Sequence, residues 1–205
     1  MRLKFTESEL NKILKNLVII IDSREQKAEP YKKWFDKNNI KFISKDEAKK
    51  MRKEAYYHLE QGDYSAMLPK GSIEGIDREI WFDKDIVIEK KGNIKELAGN
   101  FSKDQGTRIE KEFAHLKANG TKVYIFVEDN LMDKHIREGK EQHIGLWKKE
   151  TLYARFKSFE AMYGTVLRPI GAEYMASEIY NTLYYHVRAI LKREFEIDKY
   201  LIDSI

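Results

Sequence analysis

The stretch Ile86-Val-Ile-Glu-Lys-Lys91, with the turn Gly62-Asp-Tyr64 upstream of it, decides the fold. Ile86, Val87 and Ile88 are strand formers in an apolar run, so the segment reads as a largely buried β-strand. Side chains alternate along a strand, which puts Glu89 and Lys91 on one face and Ile88 and Lys90 on the other. An acid and an amine at the end of a buried strand are costly to desolvate unless they pair or bind something. A divalent metal and a phosphate would satisfy both. Chemistry is expected here.

Upstream, residues 6–15 read as a capped helix, with Thr6 as N-cap, Glu9 three residues on, and an apolar stripe of Leu10, Ile13 and Leu14. Leu17 to Ile21 is an apolar run ending in Asp22-Ser-Arg24-Glu25. A buried strand that delivers charges at its C-terminal end is a common way of building an α/β site. Pro30 opens a helix carrying Tyr31, Trp34 and Phe35, whose spacing assigns them to the core. Ile40–Ser44 is a second strand, and Asp46 to Lys53 a basic helix or loop. Tyr56–Glu60 and Tyr64–Leu68 flank Gln61-Gly-Asp63 and read as two strands joined by a tight turn. Pro69 to Asp85 is a hairpin-like excursion with an exposed tip.

Downstream, Ile94, Leu97, Ala98 and Phe101 mark one helix, and Ile109, Phe113 and Leu116 a second, ended by Asn119-Gly120. Lys122–Glu128 is a clear strand, and Asn130 to Gly145 a polar loop or short helix. Residues 148–163 form an amphipathic helix, Val166-Leu167 an edge strand ended by Pro169, and Met175 to Ile190 the stripe of a long final helix. The order is β-α-β, a hairpin, β-α-α-β, α-β-α. With no internal repeat or linker, one α/β domain over 1–205 is the economical reading: an N-terminal helix (1–16), a core (17–170) and a C-terminal helix (171–205).

Composition narrows the classes. The chain has 205 residues, and no apolar run approaches the ~20 residues that span a bilayer. There are no cysteines, so disulfides and thiolate metal sites are excluded. The N-terminus lacks a signal-peptide core, which makes a cytoplasmic protein the simplest reading. The net charge of +4 is small, but residues 24–53 hold 11 Lys/Arg against 5 Asp/Glu, a local +6. That basic lobe suits either a polyanion or a solvated helix face. The histidines show no ligand spacing: His58 falls in a strand, and His135, His143 and His186 read as surface or packing residues.

Asp22, Asp63 and Glu89 all fall at strand ends, with Lys91 two residues beyond the last. Metal-assisted phosphodiester cleavage needs such a set: carboxylates for Mg²⁺ or Mn²⁺, and a lysine to orient water or support developing charge. Alone, Asp-x(n)-Glu-x-Lys is a weak pattern. Its context is more specific. Ile20-Ile-Asp22-Ser-Arg24-Glu25, then Gly62-Asp63-Tyr64, then Val87-Ile-Glu89-Lys-Lys91 before a helix near Asn93, resembles the XPF-type structure-specific endonucleases over roughly residues 17–170.

The resemblance implies a restriction-endonuclease-like mixed central sheet flanked by helices. It also implies a metal-dependent DNA endonuclease, acting on branched or flapped DNA in repair or recombination. Carried over by position, Asp22, Asp63 and Glu89 look like the metal carboxylates and Lys91 like the catalytic lysine. Glu25 looks like an auxiliary acid, and Arg24 like a site-organising or phosphate-contacting residue. Two positions depart from the pattern. Lys90 stands where the family has arginine, and the family's further aspartate falls on Lys95, with Glu96 beside it as the expected substitute. Arg108 and Lys111 on the second helix are candidate DNA contacts or solvated charges. DNA is the expected partner and a homodimer is open, with no membrane and no helix-hairpin-helix pattern after Gly171. The rivals are a catalytically weak nuclease-fold module that binds DNA or protein, and another nuclease of the same core fold. Retention of Asp63, Glu89 and Lys91 favours the enzyme; loss of the distal aspartate favours the module.

Overall fold

A computed structural model describes residues 2–22, 25, 28–44, 46–47, 50, 62–193 and 195–196. The expected strand Tyr56–Glu60, with His58, lies outside the described residues, as do Arg24 and most of the basic segment before Lys53. The fold is mixed α/β, with a seven-stranded mixed sheet. The elements are β1 (Arg2–Leu3), α1 (Glu7–Leu14), β2 (Val18–Ile21), α2 (Glu29–Lys37), β3 (Lys41–Ser44), β4 (Tyr64–Leu68), β5 (Ile80–Trp81) and β6 (Ile86–Lys91). They continue as α3 (Ile94–Asn100), α4 (Lys103–Ala118), β7 (Lys122–Val127), α5 (Met132–Glu138), α6 (Glu141–Ile144), α7 (Lys149–Tyr163), β8 (Val166–Pro169), a 3-10 turn (Ala172–Tyr174), α8 (Met175–Arg193) and β9 (Phe195–Glu196). The sheet order is β3-β2-β4-β6-β7-β8, with β5 on β4, and β1 pairs with β9 separately. Among the described residues no helix is long and apolar enough to cross a membrane.

The chain divides into two compact units, one of Met1–Glu60, Tyr64–Ile86 and Ala176–Ile205, the other of Gln61–Asp63 and Val87–Met175. In the first, α1 starts where expected, because the Thr6 hydroxyl accepts from the Glu9 amide while the Glu9 carboxylate accepts from the Thr6 amide at 2.7 Å. Strand β2 is parallel to β3 and antiparallel to β4, in a register that sets Ile21 opposite Tyr64. Every residue of β2 and β4 is buried, the pattern of strands covered on both faces. The excursion after Pro69 returns as β5, antiparallel to β4, with its tip at Glu74-Gly75 exposed.

In the second unit one apolar core joins Val87 of β6 and Val123, Ile125 and Val127 of β7 to the helices that follow them. Phe159 of α7 lies 4.8 Å from both Phe101 and Phe113, edge to face, so α7 is keyed by aromatic contacts as well as apolar area. The segment 130–145 is two short helices rather than a loop, because Met132, Ile136 and Ile144 are buried in that core. Strand β8 is parallel to β7 and ends the sheet order, the edge position expected for a strand that stops at a proline. His135 and His143 do pack: their rings stack with centroids 3.8 Å apart, and His135 Nδ1 lies 2.6 Å from an Asp129 carboxylate oxygen.

Candidate active site

Strand β6 leaves its apolar run at Ile88 and ends in three charged residues, all in the second unit. Gly62 passes close over this strand. Its φ is +89°, and a Cβ there would lie 2.9 Å from the Val87 Cβ, so glycine is required both by conformation and by space. The approach lets the Asp63 amide donate to the Ile88 carbonyl at 2.8 Å. It also lets the Asp63 carboxylate accept the Lys90 amide at 2.7 Å. Asp63 is therefore pinned to β6 through both its backbone and its side chain. A Gly62→Ala variant is expected to lose about 1–3 kcal/mol of stability, the usual cost of holding a non-glycine residue in such a region against a neighbour. Urea denaturation beside the parent measures it.

Alternation along β6 sends Glu89 and Lys91 to the same face, as expected. The Lys91 ammonium donates to the Glu89 carboxylate at 2.6 Å and lies 4.0 Å from that of Glu96. Burial is the largest single influence on Lys91 and pushes its pKa down, but Glu89, Asp63 and Glu96 push it up and prevail. Lys91 is thus a cation at neutral pH. A raised pKa disqualifies it as a general base there and suits it to hold water or balance developing negative charge. Asp63, Glu89 and Glu96 against Lys91 give this cluster a formal charge of minus two.

Glu96 reaches the cluster from α3. Asn93 caps that helix by accepting the Glu96 amide at 2.9 Å, and the Glu96 carboxylate turns back to accept the Gly92 amide at 2.8 Å. The cap brings Glu96 beside Lys91, while Lys95 is exposed. Glu96→Gln keeps an oxygen for the Gly92 amide and removes only the charge. If the cluster holds a metal, this should raise the metal concentration for half occupancy about fivefold, the equivalent of ~1 kcal/mol for a half-exposed charge. Lys95→Ala should leave the titration unchanged, and equal titrations for Glu96→Gln and the parent would remove Glu96 from the site.

Lys90 lies on the other face of β6. Its side chain is 2% exposed, and its ammonium sits 3.2 Å from the Glu128 carboxylate. Glu128 follows the last residue of β7, and its amide donates to the Lys91 carbonyl at 2.8 Å. Sequence reasoning placed Glu128 in a strand and did not connect it with the site. The available signal was an acid closing an apolar strand, as Glu89 does on β6.

Asp22 is in the first unit, buried, one residue beyond Ile21, with its carbonyl accepting the Glu25 amide at 3.1 Å. Arg108 and Lys111 are exposed on α4, where Arg108 pairs with Glu112 at 3.7 Å.

Among the described residues no three acidic or histidine side chains converge closely enough to hold an ion by themselves. The carboxylates gathered around Lys91 are of the donor type that Mg²⁺ and Mn²⁺ take. They are all oxygen donors and carry excess negative charge, and Mg²⁺ commonly uses one or two carboxylates, with water and substrate phosphate completing its shell.

The fold is a mixed α/β fold of the restriction-endonuclease-like kind. Among solved structures the chain is similar to XPF from Aeropyrum pernix, with a TM-score of 0.53 and 15% identity over 84% of this chain and 66% of that one. It is also similar to XPF from Aeropyrum pernix in complex with DNA, with a TM-score of 0.53 and 17% identity over 91% of this chain and 73% of that one. The chain thus spans about two thirds of the length of the first of these structures. The fold is XPF-like. No family model matches the chain, and no curated protein matches it.

Proposed function

We propose that this protein is a divalent-metal-dependent DNA endonuclease, with branched or flapped DNA as its substrate class. The observation that carries the reading is the Lys91 ammonium, mostly buried and held 2.6 Å from Glu89 beside Asp63 and Glu96, on an XPF-like nuclease fold. Asp63 and Glu89 are the residues that would hold Mg²⁺ or Mn²⁺, and Asp22 is carried with them by the family resemblance alone. A metal bound there supplies a Lewis acid for the scissile phosphate and a more acidic water. Lys91 would donate to a water beside the reacting phosphate and balance the charge that grows on the phosphoryl oxygens. Asp63 keeps its orientation because the Lys90 amide holds its carboxylate, so little reorganisation remains at the moment of reaction. Exposed cations, Arg108 and Lys111 among them, supply phosphate contacts that carry affinity without reading sequence. The deciding experiment is cleavage of end-labelled linear, flap and fork DNA in Mg²⁺ or Mn²⁺, with EDTA as control. Cuts that depend on the metal and concentrate at the junction support the reading. Binding without cleavage in either metal would leave a nuclease-fold binding module.

A further inference from the structure

We infer that Glu128 and Lys90 are a positioning pair that locks the end of β6, so that Glu89 and Lys91 are presented side by side. The effect on rate rests on the nuclease reading; the effect on the backbone does not. A lysine whose side chain is 2% exposed does not reach a phosphate in solvent, so the Lys90 charge acts inside the protein, on Glu128 at 3.2 Å. Three attachments meet at residues 90 and 91. The Lys90 amide donates to Asp63 at 2.7 Å, the Lys90 ammonium pairs with Glu128, and the Lys91 carbonyl accepts the Glu128 amide at 2.8 Å. Glu128 supplies two of these itself, one from its backbone and one from its carboxylate.

The geometry converts this into an effect on the site. Residues 89, 90 and 91 alternate between faces, so fixing the Lys90 side chain on one face fixes the directions of Glu89 and Lys91 on the other. A buried ion pair is a poor source of stability beside apolar residues of the same volume. Its use here is directional, since charge and hydrogen bonding tie the strand end to one arrangement. Neither group touches the place where substrate would react, so both are positioning residues.

The test uses the full chain with Glu128→Gln, Lys90→Met and Lys90→Arg, plus the paired apolar change Lys90→Met with Glu128→Leu. Single-turnover cleavage in Mn²⁺, DNA affinity by anisotropy in Ca²⁺, and hydrogen exchange at the Lys90 and Glu128 amides are measured. Glu128→Gln should cut the rate at least about tenfold, the scale for losing a supporting partner of a metal site, while DNA affinity holds within about twofold. Exchange at both amides should quicken. Lys90→Arg should keep close to the parent rate because its guanidinium can still meet Glu128. The double apolar variant, packed but without direction, should fold and cut slowly. A folded Glu128→Gln or double variant with the parent rate overturns the inference, and so does Lys90→Arg as slow as Lys90→Met. A parent that cuts no DNA refutes the nuclease reading, and amide exchange then decides the pair, with unchanged exchange in Glu128→Gln counting against it.

Discussion

Glu89→Gln and Asp63→Asn should each lower DNA cleavage by about a hundred- to a thousandfold, the scale seen when one preorganised charge or donor is lost from a site. The amide variants are the informative ones. Asp63 accepts the Lys90 amide, and truncation to alanine would leave that group without its partner, at a cost of ~1–3 kcal/mol unrelated to catalysis. Asparagine keeps an oxygen for the amide and loses only the charge. Glutamine at 89 likewise keeps an acceptor for Lys91. Both variants should still fold, because each keeps the hydrogen-bond acceptor of its carboxylate, with a moderate stability loss in Glu89→Gln from the weakened pairing with Lys91. A folded variant that cuts DNA at the parent rate would show that these carboxylates do not hold the metal.

Lys91→Ala should reduce the cleavage rate by about a hundredfold or more while DNA affinity in Ca²⁺ changes less than about threefold. Affinity for a polyanion is spread over many cations, whereas the balancing of charge at one phosphate belongs to one. Metal affinity should not fall, because the alanine removes a cation from among three carboxylates. A parallel collapse of binding and rate would make Lys91 an anchor for DNA instead. The pH dependence has a defined sign. The Lys91 pKa is raised in the folded protein, so the stability it contributes is fully present below the ordinary lysine value and disappears as pH rises through the folded one. Parent and Lys91→Ala stabilities should therefore converge only at strongly alkaline pH, as read by urea denaturation across a pH series.

Where local chemistry determines structure, it was legible in the chain. Thr6 and Glu9 start α1 because each satisfies the other's backbone amide, an arrangement complete within four residues. Residues 86–91 form a strand whose alternation sets Glu89 beside Lys91 without reference to any other segment. The helix after β6 begins at Ile94, the first residue of its apolar stripe Ile94, Leu97, Ala98 and Phe101, with Asn93 as its cap. The weakest region was 130–145, whose polar residues outnumber the three apolar ones that bury it.

What the sequence determined by itself is the central strand and the acid–lysine pair on one of its faces. These follow from residue periodicity and hydrogen bonds between near neighbours. Only the tertiary structure decided that Asp63 clamps the Lys90 amide from 27 residues away, that Lys90 turns inward, and that Glu128 is its partner. The physical reason is that an ion pair between strands depends on sheet order and register. Nothing in the spacing of Lys90 and Glu128 encodes either, until β6 and β7 lie side by side.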